Sequence, residues 1–292
     1  MDSLKPYQRK IIINVMNKLN ILPTDANIIK HVNNIYNYIL VKGQYATTTK
    51  RDYLIVLCKV LRELKQTKTA EYIYNKDVIR LSKEYTDNEY KQTLDEREQE
   101  NYIKYDVLLK KTYELINIYN DNPNKKNMIK LLVLALYTLQ PPLRNDYYNM
   151  ILINNDDFND NTRNFLLRDN KDNLYIIINN DKVIKTHGKA DIPIIDTTLK
   201  QIIKLYLNNY AYNNIYLFEN KDGTPYTKKQ IQYIINKMFD DKRLTIYTLR
   251  SSYVSNFYKN NLDLLSRRNL ADKMRHSPRQ AELSYCKYFN EM

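Results

Sequence analysis

The chain has little cysteine, little glycine and no apolar stretch long enough to cross a bilayer: two Cys and three Gly in 292 residues. Each scarcity excludes a class of protein. Cys58 and Cys286 lie in different halves of the chain and match neither a disulfide framework nor a zinc-ligand spacing, which fits a reducing compartment. Cys58 falls in an apolar helical stripe and is read as packing, and no base is in evidence to make Cys286 a nucleophile. There is no Gly-rich phosphate loop and no acidic cluster suited to a two-metal nuclease, so neither a nucleotide, a metal nor any other cofactor is expected. The abundance of Asn, Ile, Lys and Tyr beside so few Gly is a composition expected of AT-rich coding. The longest apolar run, MIKLLVLALYTL from Met128 to Leu139, carries Lys130 and falls short of the roughly 20 residues a bilayer needs. It is read as a buried helix. The opening MDSLKPYQRK lacks an apolar secretory core, so an intracellular protein is expected.

Positive charge is what the chain has in excess. Its 46 Lys and Arg against 33 Asp and Glu give a formal net charge of +13, and clustered cations of this kind gain free energy by releasing counterions from phosphates. Double-stranded DNA is the expected partner. No lipidation motif or basic amphipathic terminus points to a membrane. At 43% hydrophobic and 27% charged residues the chain can bury an ample core, and its length suits two domains.

The apolar spacing divides the chain into a helical N-terminal domain over residues 1–90 and a second domain over 91–292. In TTTKRDYLIVLCKVLRELK the Thr run can cap a helix whose stripe is Tyr53, Leu57, Val60, Leu61 and Leu64. Lys50 and Arg51 fall in its first turn, where positive charge opposes the helix dipole. A nearby DNA phosphate would explain them, and a solvated helix end would too. From Tyr85 to Tyr102 the pattern is polar with no apolar stripe and reads as a linker. Beyond it, YDVLLKKTYELINIY and the Met128 helix, stopped by Pro141 and Pro142, begin the second domain. NLYIIINN and KADIPII read as strands around DKVIKTHG, with Gly188 at a turn. Helices follow: Asp196 caps one, Gly223 and Pro225 turn into the next, and TLRSSYVSNFY and NLADKM complete the series. The expected class is mostly α with a small β-sheet (α+β).

Five residues stand out in chain order: Arg144 in QPPLRNDYYNM, Lys185 in KTHGKADIPI, Arg250 in YTLRSS, His276 in MRHS and Tyr285 in LSYCKY. Tyr285 follows His276 by nine positions and Lys185 precedes Pro193 by eight. In order and spacing they resemble the tyrosine recombinases of the phage-integrase type. That family's pattern is an Arg after a buried helix, a hairpin Lys, a His-x-x-Arg box, a Gly-His pair and a nucleophilic Tyr. The resemblance covers the chain from about residue 100 onward. It implies a two-domain architecture, with residues 1–90 as a core-binding, DNA-binding domain and 91–292 as a catalytic domain, and site-specific cutting and rejoining of duplex DNA through a 3′-phosphotyrosine. A homotetramer on paired sites, and a viral or mobile-element source, go with it. By the resemblance, Arg144 and Arg250 clamp the phosphate with fork-shaped donors, His276 adds a hydrogen bond, Tyr285 attacks phosphorus and Lys185 protonates the leaving oxygen.

Several positions depart from the family pattern. Tyr247 stands where the box begins with His, and a phenol of ordinary pKa about 10 is a poor base at neutral pH, so its expected role in the site is to hold the phosphate by hydrogen bonding while water or another group takes the proton. His187 beside the hairpin Lys is a possible substitute. Arg275 replaces the Gly before the His, and Tyr147 stands where the family often has Glu. Asp146 is the nearest acid, able to orient Arg144 or to cap a following helix. Tyr288 is a rival nucleophile, and only seven residues follow Tyr285, little for a C-terminal helix lent to a neighbour. The alternatives left open are a type IB topoisomerase-like enzyme and a DNA-binding relative that has lost catalysis.

Overall fold

Apolar stripes at helical spacing organise the first ninety residues. The computed structural model describes residues 6–92, 94, 96–144, 146–153, 160–240 and 242–287, and the chain divides between Lys91 and Gln92 into two units. The first unit holds α1 (Pro6–Lys18), α2 (Asp25–Lys30), α3 (Val32–Asn37), α4 (Thr47–Glu63), α5 (Thr67–Ile73) and α6 (Ile79–Lys91), with π-helical turns after α3 and α5. Its core gathers on α4, where Leu54, Leu57, Val60 and Leu61 meet Ile12, Met16, Ile35 and Ile39 with no exposure. Tyr53 and Leu64 pack at the edge. Cys58 is buried, and burial pushes its thiol up to about 11, which suits packing and not reactivity.

Two expectations for this unit are corrected. The Thr run does not cap α4: the helix begins at Thr47, the methyl side chain of its N-cap Ala46 offers no hydrogen-bond acceptor, and Thr47 Oγ1 bonds instead to Glu84 at 3.1 Å. The stretch read as a linker, Tyr85 to Tyr102, is helical as far as Lys91 and again over Glu96–Asn101. Pairs one turn apart support α6 where an apolar stripe is missing. Arg80 pairs with Glu84 at 3.6 Å, Tyr85 donates to Glu89, and Thr86 bonds back to the Ser82 carbonyl at 2.9 Å.

The second unit begins with α7 (Glu96–Asn101), α8 (Tyr105–Asp121) and α9 (Lys125–Thr138). Asn124 caps α9 by accepting from Asn127 N at 2.9 Å. From Met128 to Thr138 every residue of α9 but Lys130 is buried, and the helix ends before Pro141. A small sheet follows in the order β1 (Ile151–Ile153), β2 (Phe165–Arg168), β3 (Leu174–Ile178), β4 (Ala190–Pro193). β1 runs parallel to β2 with Ile151 opposite Phe165, and the other pairs are antiparallel, with Phe165 opposite Ile177 and Tyr175 opposite Pro193. β1 and β2 have no counterpart in the sequence reading because three and four residues are too few to show a period. Between β3 and β4 the chain forms a single helical turn, α10 (Ile184–His187), in place of a tight hairpin. Gly188 ends it at φ +66°.

The remaining helices are α11 (Thr197–Tyr210), α12 (Lys228–Met238), α13 (Ile246–Asn260), α14 (Leu264–Lys273) and the short α15 (Pro278–Gln280), which runs into a π-helical turn over Ala281–Tyr285. Asp196, Thr227, Thr245, Asp263 and Ser277 cap them through their side chains. α8, α11, α12 and α13 all pack on α9 or on its neighbours, and a second cluster joins Val254, Tyr258, Leu270, Met274 and Tyr285. The class is mostly α with a small sheet, as the sequence predicts. No described helix is long and apolar enough to cross a membrane.

Candidate active site

One buried arginine draws three segments together. Arg250 is on α13, 1% exposed, and α13 is fixed at its start by the reciprocal Thr245–Thr248 capping box. Its Nη1 donates to the Pro142 carbonyl at 2.7 Å and its Nη2 to the Met274 carbonyl at 3.2 Å. Those carbonyls stand two residues before Arg144 and two before His276, so a single guanidinium ties both segments to α13. Nε has no partner, and among the described residues no carboxylate pairs with this charge. A buried cation ordinarily has a counter-ion, because desolvation costs several kcal/mol when nothing offsets it. Burial accordingly pulls the guanidinium's proton affinity down.

The segment after α9 is held by tyrosines. Tyr147 is buried; its hydroxyl accepts from Gln140 Nε2 at 3.0 Å and Leu143 N at 3.3 Å and donates to the Leu136 carbonyl at 3.3 Å. Tyr137 donates to the Arg144 carbonyl at 3.1 Å. Tyr147 therefore shapes the turn that presents Arg144. The Arg144 side chain is half-buried and has no hydrogen bond among the described residues. It borders a cavity of about 470 Å³ with Asp146, Asn180, Asp181, Lys182 and Lys228. Asp146 does not cap a helix, since a turn and then β1 follow it. Burial first, then the nearby Asp181, raises its carboxyl above the usual range against the pull of Arg250, Arg144 and Arg275.

His276 owes its place to the way α14 ends. Arg275 N bonds to the Asp272 carbonyl and His276 N to the Ala271 carbonyl, at 3.0 and 3.1 Å, and Arg275 is left-handed at φ +56°. This is the Schellman pattern, and Arg275 occupies the position where glycine costs least. The His276 ring is 1% exposed, and neither ring nitrogen has a partner. Burial, with the Arg250 and Arg144 charges added, depresses its pKa to about 3. The imidazole is neutral near pH 7, with one N–H and one lone pair unused.

Tyr285, at the end of the π-helical turn, is 6% exposed. Its ring stacks on His276 with centroids 5.1 Å apart and planes 24° apart, and the Arg250 guanidinium lies over it at 4.8 Å. The Tyr247 ring is 5.2 Å away on α13, and its hydroxyl donates to the Ser284 carbonyl, one residue before Tyr285.

The structure thus brings Arg250, His276, Tyr285 and Tyr247 into contact, with Arg144 close enough for its charge to act on His276 and Arg250. Lys185 is not part of that contact. It is exposed on α10 and has no hydrogen bond or ion pair among the described residues, and His187 ends the same turn. Lys50 and Arg51 belong to the first unit. There Arg51 pairs with Asp52 at 2.9 Å and lies 4.8 Å over the Tyr85 ring, while Lys50 is half-buried in the same helical turn. Tyr288 lies outside the described residues. A larger cavity, about 540 Å³ between α9, α12 and the 219–226 turn, is lined by five lysines and by none of the predicted site residues. The sequence reading missed the Arg275–Asp181 ion pair, which joins residues 94 positions apart and leaves no local signal.

No known family model matches the chain, and no curated protein matches it in sequence. Among solved structures the chain is similar to a XerA recombinase at 13% identity and a TM-score of 0.44, over 98% of this chain and 86% of that one. At that distance nothing passes from that protein to this chain.

Proposed function

We propose that the chain is a tyrosine recombinase that cuts and rejoins duplex DNA through Tyr285. The observation that carries the reading is a buried cation with no carboxylate paired to it among the described residues, beside an imidazole with both nitrogens unpaired, both stacked on one tyrosine. A backbone phosphate supplies what these groups lack, an anion with several acceptor oxygens. The spare Nε–H of Arg250 and the free fork of Arg144 hold the non-bridging oxygens. Neutral His276 donates its N–H to the same group, and the phosphate's charge raises the imidazole's pKa toward its ordinary range.

In the reaction, Tyr285 Oη forms a bond to phosphorus as the bond from phosphorus to the 5′-oxygen breaks. The phenolic proton passes to water and Lys185 Nζ gives one to the leaving oxygen, so protons balance and no co-reactant is consumed. The covalent ester conserves the phosphodiester bond, and attack by a 5′-hydroxyl reverses the step. Lys50, Arg51 and the rest of the +13 charge supply non-specific DNA affinity. Exchange between two duplexes requires four subunits, so a homotetramer on paired sites is part of the proposal, as is an intracellular setting. A viral or mobile-element source goes with the recombinase reading and is proposed with it.

One observation favours a second reading, a DNA-binding protein without catalysis: the Tyr247 hydroxyl is engaged by Ser284, so the box offers no free base. A duplex nicked near the cleavage site, from which the short leaving strand diffuses away, separates the two. Wild type should give a protein–DNA adduct stable to detergent and Tyr285→Phe none. DNA binding without adduct in both proteins supports the second reading.

A further inference from the structure

We infer that Arg275 is a positioning residue that sets the Lys185-bearing turn against the His276 turn; the inference rests on the transesterification reading above. The guanidinium of Arg275 reaches out of the α14 terminus and pairs with Asp181, Nε to Oδ2 at 2.6 Å and Nη2 to Oδ1 at 3.2 Å. Nη2 also donates to the Gly188 carbonyl at 2.5 Å. Asp181 and Gly188 are the two ends of the segment that contains α10, and Lys185 lies between them. One side chain therefore fixes both ends of the span that carries the proton donor, and its own backbone carries His276 on the next residue.

The arrangement is built at a cost. Arg275 is held at φ +56°, a conformation that disfavours any residue with a Cβ, and the pair is desolvated, with side-chain exposures of 4% and 3%. Glycine would relieve the backbone and remove the ion pair together. The Asp181 carboxylate also accepts from Val183 N at 3.1 Å, which starts the helical turn before Lys185. Lys185 has no bond of its own to define its place, so the tie at Arg275 and the α10 turn define it. The bonds of the Arg275 side chain go to Asp181 and Gly188 and not to Tyr285; it acts through Lys185.

The test compares ordinary DNA with DNA whose leaving 5′-oxygen is replaced by sulfur, since a thiolate departs without a proton. Arg275→Gly should cleave ordinary DNA about 10²-fold more slowly than wild type. It should cleave the sulfur substrate at the wild-type rate, as should Lys185→Ala. Asp181→Asn, which keeps Arg275 and the end of α14, should behave as Arg275→Gly does. The double variant Arg275→Gly/Lys185→Ala should be no slower on ordinary DNA than Lys185→Ala alone, because both remove one function.

The inference falls if sulfur rescues Lys185→Ala but not Arg275→Gly, or if the two losses multiply. It also falls if sulfur rescues neither variant, or if both Arg275→Gly and Asp181→Asn fail to fold, which would assign the pair to stability alone. Absence of any covalent adduct from wild type on either DNA is a different result and removes the transesterification reading itself.

Discussion

Lowering the pH from 7 to 5 tests whether buried His276 sits neutral beside Arg250 and Arg144. In the unfolded chain the imidazole has its ordinary pKa of 6.5; in the fold, burial beside Arg250 and Arg144 brings it to about 3. Between those values the unfolded chain binds a proton that the native protein refuses, so stability rises with pH across the window and is lost as pH falls. The slope is about 1.4 kcal/mol per pH unit, which gives a loss of ~2 kcal/mol at pH 5 and ~4 kcal/mol by pH 3, where the native imidazole begins to protonate as well. Urea denaturation of wild type and His276→Leu at pH 7 and pH 5 isolates this contribution, since His31, His187 and every carboxylate are common to both. Wild type should lose ~2 kcal/mol more than the variant between the two pH values. Equal losses would mean that the imidazole is free to protonate and that the site does not exclude charge as described. Bound DNA should reverse the trend, because a phosphate against the ring favours the imidazolium. Wild-type affinity should therefore strengthen toward pH 5 more than that of His276→Leu.

Arg144→Lys should slow cleavage of a nicked duplex by about 10²-fold, since an ammonium cannot reproduce the fork. Stability should change by less than ~0.5 kcal/mol, because the half-buried side chain has no hydrogen bond to lose. A wild-type cleavage rate would remove Arg144 from the phosphate clamp. Tyr247→Phe deletes the bond to the Ser284 carbonyl and should cost ~1 kcal/mol in urea denaturation while slowing cleavage far less than 10²-fold. A loss of 10²–10⁴-fold would instead make Tyr247 the proton acceptor. Leu132→Ala, in the fully buried face of α9, should cost about 2–5 kcal/mol.

The parts of the fold legible in the sequence are those with a local cause. The apolar run at Met128 is long and uninterrupted except at Lys130, and it became the buried α9. Leu174, Ile176 and Ile178 alternate with half-buried neighbours in β3, and Asp196 caps α11 as its position suggests. Polar helices were less legible. The end of α6 is supported by side-chain pairs one turn apart, which give no apolar period, so its sequence reads as a linker. β1 and β2 are too short for any pattern. For the site, the offset of nine matters only through the family resemblance, which implies that His276 and Tyr285 share a site, and their rings stack. What it could not convey is the framework between them. The bonds from Arg250 to the Pro142 and Met274 carbonyls span 108 and 24 residues, and carbonyl acceptors have no residue identity to read. The Arg at 275 in place of a Gly looked like a weakness in the motif. Its left-handed backbone and its pairing with Asp181 become visible only when residues far apart in the chain meet.

The most direct measurement is to recover the covalent product from a nicked duplex, digest it and find by mass spectrometry which tyrosine carries the nucleotide. Attachment at Tyr285, absent from Tyr285→Phe, is the predicted result. Attachment at Tyr288, or DNA bound tightly with no ester on any of the 28 tyrosines, would contradict the account.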